Sequence, residues 1–92
     1  MWYVYILYSK SSKLFYTGYS EDLKRRFREH NSGKSRFTKT GIPWKLIFYE
    51  AYLTKELATQ REAQLKKRGQ QWIYLLKRIV PKEVYGGCKI ET

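Results

Sequence analysis

Arg26 and His30 stand four residues apart, beside an apolar stripe formed by Leu23 and Phe27. On a helix, residues at that spacing are neighbours on one face. At about 100° per residue, His30 falls within ~40° of the stripe centre and Arg26 within ~80°. Lys24, Arg25 and Arg28 point further away. An imidazole and a guanidinium turned inward can move a proton and hold an anion. They can equally be a capping or satisfied core histidine and an arginine snorkelling over the core edge. Glu62 sits on the flank of a second stripe marked by Leu57, Ala58 and Leu65, with Glu56 roughly opposite. A carboxylate at a core edge needs a cation or a metal ion. Arg61 or Arg26 would serve at least as readily as a metal. Tyr5 and Tyr16 fall in two neighbouring apolar runs, where most tyrosines simply pack with the hydroxyl at the rim. Gly18, just after Tyr16-Thr17, marks a tight turn or a close backbone approach.

The elements that must carry these residues are legible from pattern. Residues 2–8 are aromatic and β-branched, as in a strand. Ser9 to Lys13 suits a hairpin loop, and Leu14 to Tyr19 a second strand. Ser20 is a helix N-cap candidate followed by Glu21 and Asp22, and Asn31-Ser32-Gly33 has C-cap chemistry. Residues 33–43 form a basic polar loop. Trp44 to Leu53 is a third strand, apolar on both faces and so expected to be central or covered on both sides. Thr54 caps a second helix to about Arg68, stopped by Gly69. A third helix runs from about Gln70 to Val80 and ends at Pro81. The order β-β-α-β-α-α predicts an α+β fold with a small three-stranded antiparallel sheet flanked by helices. Residues 1–80 would form one domain and residues 81–92 a loose tail.

Composition narrows the partner. The chain has 92 residues, with Lys and Arg numbering 19 against 8 Asp and Glu, a net charge of +11. A hydrophobic content of 42% argues against a disordered basic tail. The single Cys88 excludes an intrachain disulfide. No apolar run approaches the ~18 residues of a membrane span. The run from Met1 to Tyr8 lacks a basic leader and a cleavage site, so a strand and a cytoplasmic location are expected. Cations interleaved with Tyr, Trp and Phe suit a nucleic acid, whose phosphates and bases both find partners. A charged surface that only maintains solubility is the plainer alternative. One group of cations lies between Lys10 and Lys39; another comprises Arg61, Lys66, Lys67, Arg68, Lys77 and Arg78. They lie on turns and two helices, not along one amphipathic helix, which disfavours a membrane surface.

Taken in order, Tyr3-Val4-Tyr5, Tyr16-Thr17-Gly18, Arg26, His30-Asn31, Gly33 and Glu62 resemble the GIY-YIG nuclease domain. The most specific stretch is YTGYSEDLKRRFREHNSG, from Tyr16 to Gly33. The likeness is best to the stand-alone bacterial type, YhbQ-like, and to the catalytic half of Slx-type endonucleases; UvrC is more distant. Tyr3 replaces the first Gly of the name motif. Tyr19 stands where UvrC-like members often have Lys, so no tyrosine activation through that Lys is expected.

The resemblance implies a divalent-metal-dependent endonuclease acting on DNA, or RNA, with weak sequence specificity or direction by DNA shape, in repair or recombination. A non-catalytic nucleic-acid-binding module or a subunit of a larger repair complex is the alternative. Glu62 matches the single metal-binding carboxylate, holding one Mg²⁺ or Mn²⁺. Tyr5 and Tyr16 match tyrosines that position or deprotonate the attacking water; a phenol of pKa ~10 needs a cation or the metal to do so near pH 7. Arg26 matches the arginine that neutralises transition-state charge, and His30 a second base or phosphate donor. Gly18, Lys24, Arg25, Arg28, Asn31, Lys34, Arg36 and Lys39 are expected at the nucleic acid. A protein partner would supply targeting, since no residues remain for a sequence-reading module.

Overall fold

A computed structural model of the chain describes residues 1–81. The expected loose tail lies, from residue 82, outside the described residues. Strands β1 (Trp2–Ser9), β2 (Leu14–Ser20) and β3 (Trp44–Tyr52) alternate with helices α1 (Leu23–Ser32), α2 (Lys55–Lys66) and α3 (Gln70–Ile79) in the predicted order. The sheet is antiparallel throughout, with strand order β2-β1-β3. β3 is therefore an edge strand, not the central one, but it meets both cores: Ile47, Phe48 and Tyr52 pack on one side and Trp44 and Leu46 on the other. The reason is that β1 is the strand buried on both faces. Val4, Ile6 and Leu7 are fully buried and Tyr5 is 1% exposed.

Side chains alternate across β1, so one strand feeds two cores. Val4 and Ile6 pack with Ala58 and Leu65 of α2 and Trp72, Leu75 and Leu76 of α3. Tyr5 and Leu7 pack with Trp44 and, at their margin, Tyr16, Leu23 and Phe27. α1 thus covers one face of the sheet, and α2 with α3 the other. Leu57, expected on the buried stripe of α2, is instead 46% exposed, and Ala58 and Leu65 carry that packing.

Helix ends differ from expectation at two points. Asp22, not Ser20, caps α1, accepting from the Arg25 N–H at 3.1 Å. Ser20 ends β2, and its hydroxyl accepts from the Asp22 N–H at 3.0 Å, turning the chain into the helix. After α2, which Thr54 caps as predicted, the left-handed residue is Arg68, at φ 56°. Its guanidinium stacks 3.7 Å from the Trp72 ring centroid and donates to Thr17 Oγ1 and the Phe15 carbonyl. Those contacts hold a non-glycine residue in a conformation that a glycine would adopt more easily.

Candidate active site

The register sets Tyr5 opposite Gly18, and Leu7 opposite Tyr16. Tyr5, Tyr16 and Gly18 thus share the face covered by α1. A Cβ on Gly18 would lie 2.6 Å from Tyr5 Oη and 2.8 Å from its Cζ. Gly18 is the floor on which the Tyr5 hydroxyl rests. Tyr5 fills the space that a side chain at position 18 would need.

From above, α1 supplies His30 and Arg26. His30 is fully buried, with Nε2 2.9 Å from Tyr5 Oη and Nδ1 2.7 Å from Thr38 Oγ1. The direction of this chain follows from its ends. Burial, with Tyr16 adding to it, pushes the Tyr5 phenol well above its ordinary range, so Tyr5 is protonated and donates. Thr38 is oriented to donate to the Ser35 carbonyl, leaving its oxygen to accept the Nδ1–H. Burial, then the nearby Arg26, lowers the His30 pKa to about 4. A neutral imidazole with its lone pair on Nε2 results. The Tyr16 ring stacks obliquely 4.7 Å from the His30 ring, and its hydroxyl has no hydrogen-bond partner among the described residues.

Arg26 lies beside the Tyr5 and Tyr16 phenols, and its Nη1 donates to Glu29 Oε1 at 2.8 Å. Glu29 was not anticipated as its partner. The i, i+3 spacing on a predicted helix carried that signal.

Glu62 comes from the opposite layer, since α2 covers the other face of the sheet. Its Oε2 pairs with Lys66 Nζ at 3.2 Å, and that ammonium stands 6.0 Å from the Tyr16 ring centroid. The Glu62 charge is also close enough to raise the Tyr5 phenol. Neither expected ion-pair partner is used: Arg61 binds Glu50 at 2.9 Å, and Arg26 binds Glu29. Glu62 Oε1 has no protein partner among the described residues. One partly exposed carboxylate with a free oxygen fits a hard divalent cation that keeps its waters and shares a substrate phosphate. No group of three or more potential ligands occurs among the described residues.

The remaining expected residues divide in two. Asn31 is committed to structure: its Nδ2 donates to the Trp44 carbonyl and its Oδ1 accepts the Trp44 N–H, clamping α1 to β3. Lys24, Arg25, Arg28, Lys34, Arg36 and Lys39 are exposed. Lys24 and Arg25 border a groove of about 760 Å³ on the flank of α1 away from Tyr16, with Tyr3, Phe27 and Tyr49 in its wall. Phe37, 88% exposed between Arg36 and Thr38, was missed. Thr38 was missed too, because a loop threonine has no periodicity to mark it as buried.

A small antiparallel sheet thus presents two tyrosines to a His and an Arg carried on one helix. Residues 1–74 match the family model described as the GIY-YIG catalytic domain, and the chain belongs to that family. It is similar to the UPF0213 proteins of Streptococcus pyogenes serotypes M5 and M2, each 43% identical over 67 residues, 72% of either chain. The solution NMR structure of the UPF0213 protein from Bacillus halodurans is 35% identical, with a TM-score of 0.51, covering 85% of this chain and 84% of that one. No helix among the described residues is long and apolar enough to cross a membrane.

Proposed function

We propose that the protein is a divalent-metal-dependent endonuclease that hydrolyses DNA phosphodiester bonds, weakly specific in sequence or directed by DNA structure, in repair or recombination. The observation that carries this reading is the Tyr5–His30 hydrogen bond, flanked by Arg26 and within electrostatic reach of Glu62. Tyr16 has a free hydroxyl and orients the attacking water. Tyr5 accepts the water proton as it passes its own to the neutral Nε2 of His30; the water oxygen bonds to phosphorus as the P–O ester bond breaks, and the leaving oxygen takes a proton from solvent. Arg26 opposes charge building on the phosphate, which is worth most in a partly dry site. Glu62 would hold Mg²⁺ or Mn²⁺, which supplies Lewis acidity to the phosphate oxygen. Exposed cations on α1 and the following loop hold the backbone, and Phe37 offers a face for an unpaired base.

A non-catalytic nucleic-acid-binding module is the second reading. It is favoured by one observation: Arg26 and Glu62 both already have ionic partners within the chain. A cleavage panel of labelled duplex, flap, branched and single-stranded DNA and RNA, with Mg²⁺, Mn²⁺ or EDTA, separates the two. Metal-dependent products that vanish in Tyr5→Phe support the enzyme. Binding without products by wild-type protein supports the module.

A further inference from the structure

Apart from Lys66, the second basic cluster has no role in the site just described, and the structure divides it sharply. Arg61 is paired with Glu50, Lys66 with Glu62, and Arg68 is stacked on Trp72. Lys77 and Arg78 are exposed on the last turn of α3 and have no ion pair among the described residues. No Asp or Glu occurs between Glu62 and Glu83, so α3 has no acid of its own. With Arg61, Gln71 and Tyr74, these two cations line a pocket of about 440 Å³ that has no carboxylate in its wall among the described residues. Tyr74 is 56% exposed at its rim. Buried Trp72 and Leu76 anchor the opposite side of the same helix, so the polar face is rigidly presented. Unneutralised cations attract phosphodiester charge, and an exposed phenol ring adds a stacking face that an acidic peptide would not need. α3 covers the face of the sheet opposite α1. A strand in the cleft and a strand at this pocket therefore approach the molecule from different sides.

We propose that the α3 pocket is a second nucleic-acid-binding site, which takes a phosphodiester segment other than the one in the cleft. It rests on the reading of the protein as a nucleic-acid enzyme and narrows the substrate to DNA that offers two backbone segments at once, such as a branched junction. Lys77 and Arg78 contact phosphates, and Tyr74 stacks on an exposed base or sugar. None of the three takes part in the cleft chemistry.

The test compares wild type, Lys77→Ala with Arg78→Ala, Tyr74→Ala and Tyr74→Phe on a four-way junction and on a plain duplex, as a function of salt. The double variant should bind the junction roughly tenfold or more weakly and lower the slope of log K against log salt by about 1.8, the loss of two phosphate contacts. Duplex affinity should fall by less. Tyr74→Ala should cost about fivefold or more in junction affinity and Tyr74→Phe should restore it, because stacking needs the ring and not the hydroxyl. All four side-chain changes are at exposed positions, and circular dichroism melts confirm folding. Wild-type protein that binds junction and duplex while the double variant matches it in affinity and slope overturns the second site alone. Equal losses on junction and duplex overturn the two-segment assignment. Wild-type protein that binds no nucleic acid overturns both this inference and the functional reading beneath it.

Discussion

Thr38 holds His30: Oγ1 lies 2.7 Å from Nδ1, and both residues are fully buried. By accepting the Nδ1–H, Thr38 leaves the Nε2 lone pair facing Tyr5. Replacing Thr38 with Val keeps the shape and removes the oxygen. The orphaned N–H should cost ~1–3 kcal/mol of stability. Cleavage should slow about tenfold to a hundredfold, a fraction of what proton transfer contributes. Thr38→Ser should recover most of both. The imidazole nitrogen shifts, read by NMR, should show the tautomer preference lost in Thr38→Val and restored in Thr38→Ser.

Gly18 can be tested by adding one methyl. In Gly18→Ala the new Cβ meets Tyr5 Oη at 2.6 Å, and Tyr5 is buried in a packed core. Stability should drop by ~1–3 kcal/mol, and turnover should be lost as the phenol leaves His30. Adding Tyr5→Phe removes the nearest clashing atom. The double variant should regain part of the stability in urea denaturation yet stay inactive. Full activity in Gly18→Ala would mean that the Tyr5 hydroxyl position does not matter.

His30 makes stability depend on pH with a definite sign. Its pKa is about 4 in the folded protein against an ordinary 6.5, so the unfolded chain binds the proton more readily. Nothing is lost above pH 6.5, where both states are neutral. Between pH 6.5 and about 4 the folded state loses ground, by up to ~3 kcal/mol. Thermal melts across this range should show the decline, and His30→Gln should flatten it above pH 5. Below that, the Glu29 carboxylate, held low chiefly by its hydrogen bond from Arg26, adds a further loss with the same direction. Cleavage should not fall between pH 8 and 6 through His30, because the imidazole stays neutral there.

Glu62 and Glu56 are acids on one helix with opposite prospects. Glu62→Gln keeps the shape and removes the charge that attracts a cation. Turnover should fall by ~10²–10³, equivalent to ~3–4 kcal/mol, while DNA affinity holds or rises. Glu56→Gln, on the exposed side of α2, should stay within a few-fold. Metal titrations of the rate on one DNA substrate check both. Equal rates for wild type and Glu62→Gln would leave Glu62 as the ion-pair partner of Lys66 and promote the binding-module reading.

Phe37 should matter to binding more than to chemistry. It is 88% exposed, yet the next residue is tied to His30. Phe37→Ala should weaken binding to single-stranded or flapped DNA by ~1–3 kcal/mol and leave perfect duplex nearly unchanged. Fluorescence anisotropy on matched substrates reads the difference. An equal loss on both would mean the ring contacts no unpaired base.

Local pattern determined much of this protein. The aromatic and β-branched runs at residues 2–8 and 14–19, and the polar-apolar phase of α1, α2 and α3, are properties of neighbouring residues, so each element was legible without the others. The same phase placed Arg26 and His30 beside the Leu23–Phe27 stripe. Pairing was not legible. Trp44–Tyr52 is apolar enough to be central, and only competition for β1, the strand buried on both faces, put it at an edge. The fates of the cations were not legible either, because ion pairs such as Arg61–Glu50 join residues from different layers. What only the tertiary structure decided is the hydrogen-bond chain from Tyr5 through His30 to Thr38. Tyr5 and His30 are 25 positions apart and Thr38 belongs to an irregular loop. Their meeting depends on the strand register, the floor at Gly18 and the Asn31 clamp acting together, and no single segment contains that information.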